Sequence, residues 1–209
     1  MNHLLELSVL RNRYYALRHG DSAANRQGII VSHPDNGLFE YGLSQRGAAQ
    51  VETSLAGVAE LGPDTLILSS DFRRARESAE IARQKLKSAR PLETDARLRE
   101  RFFGEYELGS DHGYAEVWRE DEIDADSRRR GVESANQVMA RVTRVVSELE
   151  QSLGGVTLLL VSHGDALQIL QTAFQKLDAA RHRRIDHLET AEIRLLDLAS
   201  SQGHLDICQ

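Results

Sequence analysis

The chain has 209 residues, 41% of them hydrophobic and 28% charged, with a formal net charge of -6. That composition fits one folded core and excludes a disordered chain, and the acidic balance excludes the broad basic surface of a nonspecific nucleic-acid binder. A single cysteine, Cys208, excludes an intrachain disulfide and a cysteine-built zinc site.

Met1 to Leu10 contains Glu6 and is too short and too weakly apolar for a signal peptide. No apolar run approaches the ~20 residues of a membrane span. The expectation is a cytoplasmic protein that engages neither membrane nor nucleic acid. Asn12 to Leu17 reads as a buried first strand. Arg18 to Tyr41 reads as loop or broken helix, punctuated by Gly28, Pro34, Asn36-Gly37 and Gly42. Leu43-Ser44 opens a helix whose apolar positions Ala48, Val51, Leu55 and Val58 keep helical spacing, and Leu61-Gly62-Pro63 stops it.

Thr65 to Leu68 reads as a second strand. Ser69-Ser70-Asp71 offers N-caps for a helix running to Leu86. Leu92 to Glu107 reads mostly as loop. The polar stretch from His112 to Arg130 reads either as a solvated helix and turn or, with its flanks (residues 105–131), as a lid. Glu133 to Leu153 is the longest helix, with Val138, Val142, Val145, Val146 and Leu149 on one face. Val156 to Val161 is the third strand, Asp165 begins a further helix, and Ala191 to Leu198 alternates as a final strand would. Strands alternate with helices throughout, which predicts a single α/β domain with a mainly parallel sheet and helices on both faces.

In open α/β sheets ligands bind outside the carboxyl ends of the strands. The first strand ends in Arg18-His19-Gly20, the second leads through Ser69-Ser70-Asp71 to Arg73-Arg74, and the third ends in Ser162-His163-Gly164. Parallel strands would bring two histidines and at least two arginines to one crevice. A lone histidine after a strand is usually structural, and an arginine on a first helical turn is usually a surface residue. Their joint occurrence at three strand ends points to a phosphate site.

These segments resemble the histidine phosphatase superfamily, in its phosphoglycerate mutase-like branch. Arg18-His19-Gly20-Asp21-Ser22-Ala23-Ala24-Asn25 is similar to that family's Arg-His-Gly-Glu-Ser-x-x-Asn signature. Leu43-Ser44-Gln45-Arg46-Gly47-Ala48-Ala49-Gln50 resembles its Leu-Thr/Ser-x-x-Gly-x-x-Gln helix start. Ser70 to Ala79 and Leu98 to Glu107 resemble its Ser-x-Leu-x-Arg-Ala-x-x-Thr-Ala and Leu-x-Glu-x-x-x-Gly-x-Trp-Glu segments, and Val161-Ser162-His163-Gly164 matches its closing motif. The five segments run in order along the chain.

The resemblance implies a three-layer fold and a phosphomonoesterase that uses neither metal nor cofactor. It makes His19 the nucleophile that carries a transient phosphohistidine. It makes Arg18, Arg74 and His163 the clamp on the phosphoryl oxygens, with a further hydrogen bond from Asn25. Glu100 becomes the general acid and base, with Glu105 and Glu107 as competitors. Arg73 competes with Arg74, and only the family register prefers the latter. The helix starting near Asp165 is expected to aim its N–H groups at the phosphate.

The chain departs from the family twice. Asp165 stands where a glycine often follows His-Gly. It is expected to be an N-cap, or else an anion that shapes substrate choice. Ile30 stands where many members place a phosphate-touching Gln or Thr, so either Ser32 or Gln27 substitutes or the contact is absent.

The substrate implied is a phosphorylated small molecule or phosphoprotein. Phosphoglycerate mutase-type transfer and a non-catalytic phospho-ligand-binding module are the alternatives. A mutase must retain a bisphosphate and exclude water, which needs extra basic groups and a longer closing segment. The acidic middle stretch and the apolar Ile29-Ile30-Val31 argue against it.

Overall fold

The computed structural model describes residues 1–199, so Cys208 lies outside them. The elements, in chain order, are β1 (Arg13–Arg18), α1 (Ala23–Gln27), α2 (Pro34–Gly37), α3 (Gln45–Ala56), β2 (Leu66–Ser69), α4 (Arg73–Lys85) and β3 (Glu93–Thr94). They continue with α5 (Gly113–Ile123), α6 (Ala135–Ser152), β4 (Thr157–Ser162), α7 (Gly164–Phe174) and β5 (Ile193–Leu196). Short 3-10 turns fill several of the connections.

The five strands form one sheet in the order β3-β2-β4-β1-β5. β1, β2, β3 and β4 run parallel, and β5 closes one edge antiparallel to β1. The central strands are apolar at nearly every position because both faces are covered. Tyr14 and Ala16 of β1 and Leu158 and Leu160 of β4 meet α6 and α7, through Val138, Val142, Leu167 and Leu170. Tyr15, Leu17, Leu159 and Val161 point the other way, onto Val51 and Leu55 of α3 and Ala75, Ala79 and Ala82 of α4. This is the expected three-layer arrangement.

The layering positions the site. After β1 the chain passes to α3 on one face, and after β4 it enters α7 on the other. Neighbouring parallel strands whose connections leave to opposite faces open a crevice at their carboxyl ends. Arg18 and Ser162 are register partners on β1 and β4, so His19 and His163 emerge side by side at that crevice.

Local readings needed three corrections. α3 ends at Ala56, before the Gly62-Pro63 stop. The N-cap of α4 is Phe72, with no side-chain cap bond. The Ser70 hydroxyl accepts instead from the Phe72 N–H (3.2 Å), and Asp71 pairs with Arg99 (2.6 Å). Asp165 is not an N-cap either: His163 holds that place and Asp165 lies in the first turn of α7.

Candidate active site

The family-like helix start holds the histidine loop in place. The Ser44 hydroxyl caps α3 by accepting from the Gly47 N–H (3.0 Å) and donates to the Asp21 carboxylate (2.6 Å). The Gln50 side chain accepts from the Asp21 N–H (3.0 Å). Gly20 and Gly47 touch backbone to backbone, and a Cβ on either would collide with the other segment. These contacts fix the turn immediately after His19.

His19 is buried, and its Nδ1 lies 2.8 Å from the Gly20 carbonyl. A carbonyl can only accept, so Nδ1 carries the hydrogen and Nε2 keeps its lone pair. Arg74 donates its Nε–H to that Nε2 (3.1 Å) and an Nη2–H to the Val31 carbonyl (2.9 Å). Burial, then the Arg74 and Arg18 guanidiniums, hold the His19 pKa well below the ordinary imidazole value. The ring is therefore neutral at neutral pH.

The His163 ring lies 5.2 Å from that of His19, edge to face. Its Nε2 pairs with the Ser70 hydroxyl (2.8 Å). Burial, then Arg74 and His19, push its pKa well down. Arg18 donates from Nη1 to His187 Nε2 (2.6 Å) and to the Leu188 carbonyl (2.8 Å). Arg18 Nε, Arg74 Nη1 and His163 Nδ1 are all buried without a partner. Unpaired buried polar atoms are costly. Here they belong to the three residues that surround His19.

Glu100 is buried beside them. The N–H groups of Arg101 (2.9 Å) and Ala166 (3.2 Å) donate to its Oε1, and the Asp165 N–H approaches its Oε2 at 3.5 Å. The first-turn N–H groups of α7 thus hold a carboxylate, and the expectation that they face the phosphate is corrected. Burial and then the Asp165 charge raise the Glu100 pKa, against Arg74 and the backbone donors, which lower it. Of the competitors, Glu105 is exposed, and Glu107 binds Ser32 and Asn36 instead.

The competing arginine also separates cleanly. Arg73 is exposed and paired with Glu77 (2.7 Å), whereas Arg74 is buried against His19. Asn25 lies in the capping box of α1, its Oδ1 accepting from the Ser22 N–H (3.1 Å) and hydroxyl (2.8 Å). Gln27 is exposed at the end of the same helix. Ser32 is a correction. Its hydroxyl donates to Glu107 (2.5 Å) and accepts from the Phe103 N–H (3.0 Å), so it pins two loops together rather than lining the phosphate site. Ile30, in the register of the family's polar residue, is fully buried against Phe103, Val117 and Val132.

Asp165 is corrected a second time. Its carboxylate accepts from Arg101 (3.2 Å) and from Trp118 Nε1 (2.8 Å), so it does not stand as a free anion repelling substrate. Arg101 is fully buried and forks onto Asp121 at 2.6 and 2.7 Å, and His182 Nε2 lies 3.0 Å from the same carboxylate. The polar stretch therefore does not form a purely solvated helix: α5 turns Tyr114, Val117, Trp118 and Asp121 inward. Gly104, the glycine of the family's Leu-x-Glu-x-x-x-Gly segment, has φ +56°, and a Cβ there would strike the Arg130 carbonyl.

Residues 14–208 match the family described as the histidine phosphatase superfamily, branch 1. The chain belongs to that superfamily. A relative from Salmonella paratyphi B, named "Probable phosphoglycerate mutase GpmB", is 30% identical over 193 residues, covering 90% of this chain and 86% of its own. Among solved structures, the mycobacterial glucosyl-3-phosphoglycerate phosphatase complexed with VO3 is 28% identical with a TM-score of 0.74, covering 88% and 90% of the two chains. A protein called mycobacterial hydrolase 1 is 26% identical with a TM-score of 0.71, covering 90% and 99%. The histidine phosphatase relatives thus carry both mutase and phosphatase names.

Proposed function

We propose that the chain is a metal-independent phosphomonoesterase that works through a phosphohistidine on His19. One observation carries this reading: buried, unpartnered N–H donors on Arg18 and Arg74, with the unpartnered Nδ1 of His163, surround a neutral imidazole whose Nε2 lone pair is preserved. Donors of this kind are what the equatorial oxygens of a transferring phosphoryl group require. Two fixed guanidiniums supply the charge neutralisation that another enzyme would take from a metal.

In the first step His19 Nε2 attacks phosphorus as the bond to the leaving oxygen breaks. Arg74 passes its Nε–H from His19 to a phosphoryl oxygen as the lone pair is used. The Ser70 hydroxyl, in donating to His163 Nε2, leaves the hydrogen of His163 on the unpartnered Nδ1, where it serves as another donor. Glu100 gives its proton to the leaving oxygen. Its Oε2 has the weaker backbone contact and is the oxygen placed to carry that proton. Water then attacks the phosphohistidine, Glu100 takes the proton back, and phosphate leaves with His19 restored.

Steady-state turnover of p-nitrophenyl phosphate in the presence of EDTA tests this reading. Undiminished phosphate release is expected, and a requirement for added divalent metal would sink the mechanism. The Salmonella relative's name favours a second reading, phosphoglycerate mutase. Interconversion of 3- and 2-phosphoglycerate faster than phosphate release would replace the first reading with it.

Glu100→Gln separates the acid from the clamp. Loss of a general acid costs about 10²–10⁴-fold where the leaving group needs the proton. An alkyl phosphate should lose that much kcat, while p-nitrophenyl phosphate, whose leaving group departs unprotonated, should lose far less. An equal loss with both would remove Glu100 from the acid role.

A further inference from the structure

We propose that Arg183 and His187, with the indole of Trp118, form a second anion subsite on the leaving-group side, taking the carboxylate of a small phosphomonoester. The proposal rests on the phosphatase reading for the direction in which the leaving group points.

That direction follows from Glu100. The group that protonates the leaving oxygen must lie beside it, so the remainder of the substrate emerges next to Glu100. Asp165 adjoins Glu100 through its backbone N–H, and its side chain accepts from Trp118 Nε1 (2.8 Å). The Arg183 guanidinium lies 3.7 Å over the Trp118 ring. Trp118 is itself stacked on Tyr114, at 5.5 Å and 8°. Burial and then the Glu100 carboxylate raise the Tyr114 pKa. Arg183 is therefore one indole away from the residue that adjoins the acid.

Arg183 makes no ion pair among the described residues. A guanidinium stacked on indole keeps its in-plane N–H fork available for a carboxylate. His187 adds a directed donor. Arg18 donates to its Nε2, so the hydrogen sits on Nδ1, which is buried and unpartnered. Burial and the Arg18 charge lower the pKa of both Arg183 and His187, with Asp165 acting on both in the opposite sense.

The charge balance selects a carboxylate over a second phosphate. Asp165 bonds Arg101 and Trp118 and makes no ion pair with Arg183. One free guanidinium and one neutral N–H donor match a single negative charge.

The test compares 3-phosphoglycerate with glycerol 3-phosphate, which replaces the carboxylate by a hydroxymethyl group. Trp118 is the only tryptophan in the chain, so its fluorescence reports ligand at the subsite. Titrated into His19→Ala protein, which binds without turnover, 3-phosphoglycerate should bind about 10- to 100-fold tighter than glycerol 3-phosphate. Arg183→Ala on that background should erase the difference, and Arg183→Glu should reverse it. No preference, or one that survives Arg183→Ala, overturns the proposal.

In otherwise wild-type protein, Arg183→Ala should lower kcat/KM for 3-phosphoglycerate and leave p-nitrophenyl phosphate unchanged. An equal loss on both substrates overturns the subsite. Failure of the phosphatase reading shows separately, as no turnover of p-nitrophenyl phosphate by the wild type, and the titration still decides the subsite.

Discussion

His19→Ala is expected to reduce phosphate release by about 10⁴-fold or more, the scale on which loss of a covalent nucleophile is felt. The structure holds two neutral imidazoles 5.2 Å apart, and their hydrogen bonds give them different work. The Gly20 carbonyl fixes the hydrogen of His19 on Nδ1 and leaves Nε2 basic. His163 is held by the Ser70 hydroxyl through its Nε2. Only His19 thus keeps a lone pair oriented by a backbone acceptor that cannot reverse its role. Its depressed pKa keeps that lone pair unprotonated down into the acid range, where an ordinary imidazole is already a cation. Rapid acid and alkaline quenching of enzyme mixed with a 32P-labelled phosphomonoester supplies the direct measurement. Wild type should retain label that is lost in acid and stable in base, and His19→Ala should retain none. Acid-stable label, or label that persists in the variant, would assign the nucleophile elsewhere.

The strand ends were legible for a physical reason. Strands covered on both faces produce unbroken apolar runs, so Arg18-His19 and Ser162-His163 stand out where the runs stop. Arg74 was separable from Arg73 only through the family register, and the structure supplies the cause: one faces His19 and the other faces solvent with Glu77. The network around Arg101 was not legible. Its partners lie 20, 61 and 64 residues apart along the pairs that join them, and no local spacing links them. One signal was available. Tyr114, Trp118 and Asp121 fall at i, i+4 and i+7 inside a charged stretch, a stripe that a fully solvated helix has no reason to carry. Asp165 misled because its place at a helix start suggested a cap, whereas its side chain was claimed by Arg101 and Trp118 from distant segments. Arg183 and His187 lie in a segment with no periodic pattern, and only the fold brings His187 against Arg18 and Arg183 over Trp118.

Arg101→Leu should be the most destabilising single change in this network. Arg101, Asp121, Asp165 and His182 are all buried, and Arg101 is the guanidinium that bonds both carboxylates. Removing one member of such a group strands the opposite charges in a medium that solvates them poorly, at a cost of about 3–5 kcal/mol. For a chain of this size that corresponds to a fall in Tm of about 6–20 °C, measurable by calorimetry. The pH dependence distinguishes charge from lost packing. Burial raises the Asp121 pKa, but the hydrogen bonds from Arg101 and His182 outweigh it and hold it below the ordinary carboxylate value. A depressed carboxylate contributes stability above its unfolded pKa and loses it as pH falls through the folded value. In Arg101→Leu the larger part of that depression is lost, so Asp121 takes up a proton more readily as the solution becomes acidic. The gap in Tm between wild type and variant should therefore be widest near neutral pH and narrow towards pH 4. A gap of the same size at both pH values would mean that Arg101 acts as filler of the core, and that the charges around it are balanced by other groups.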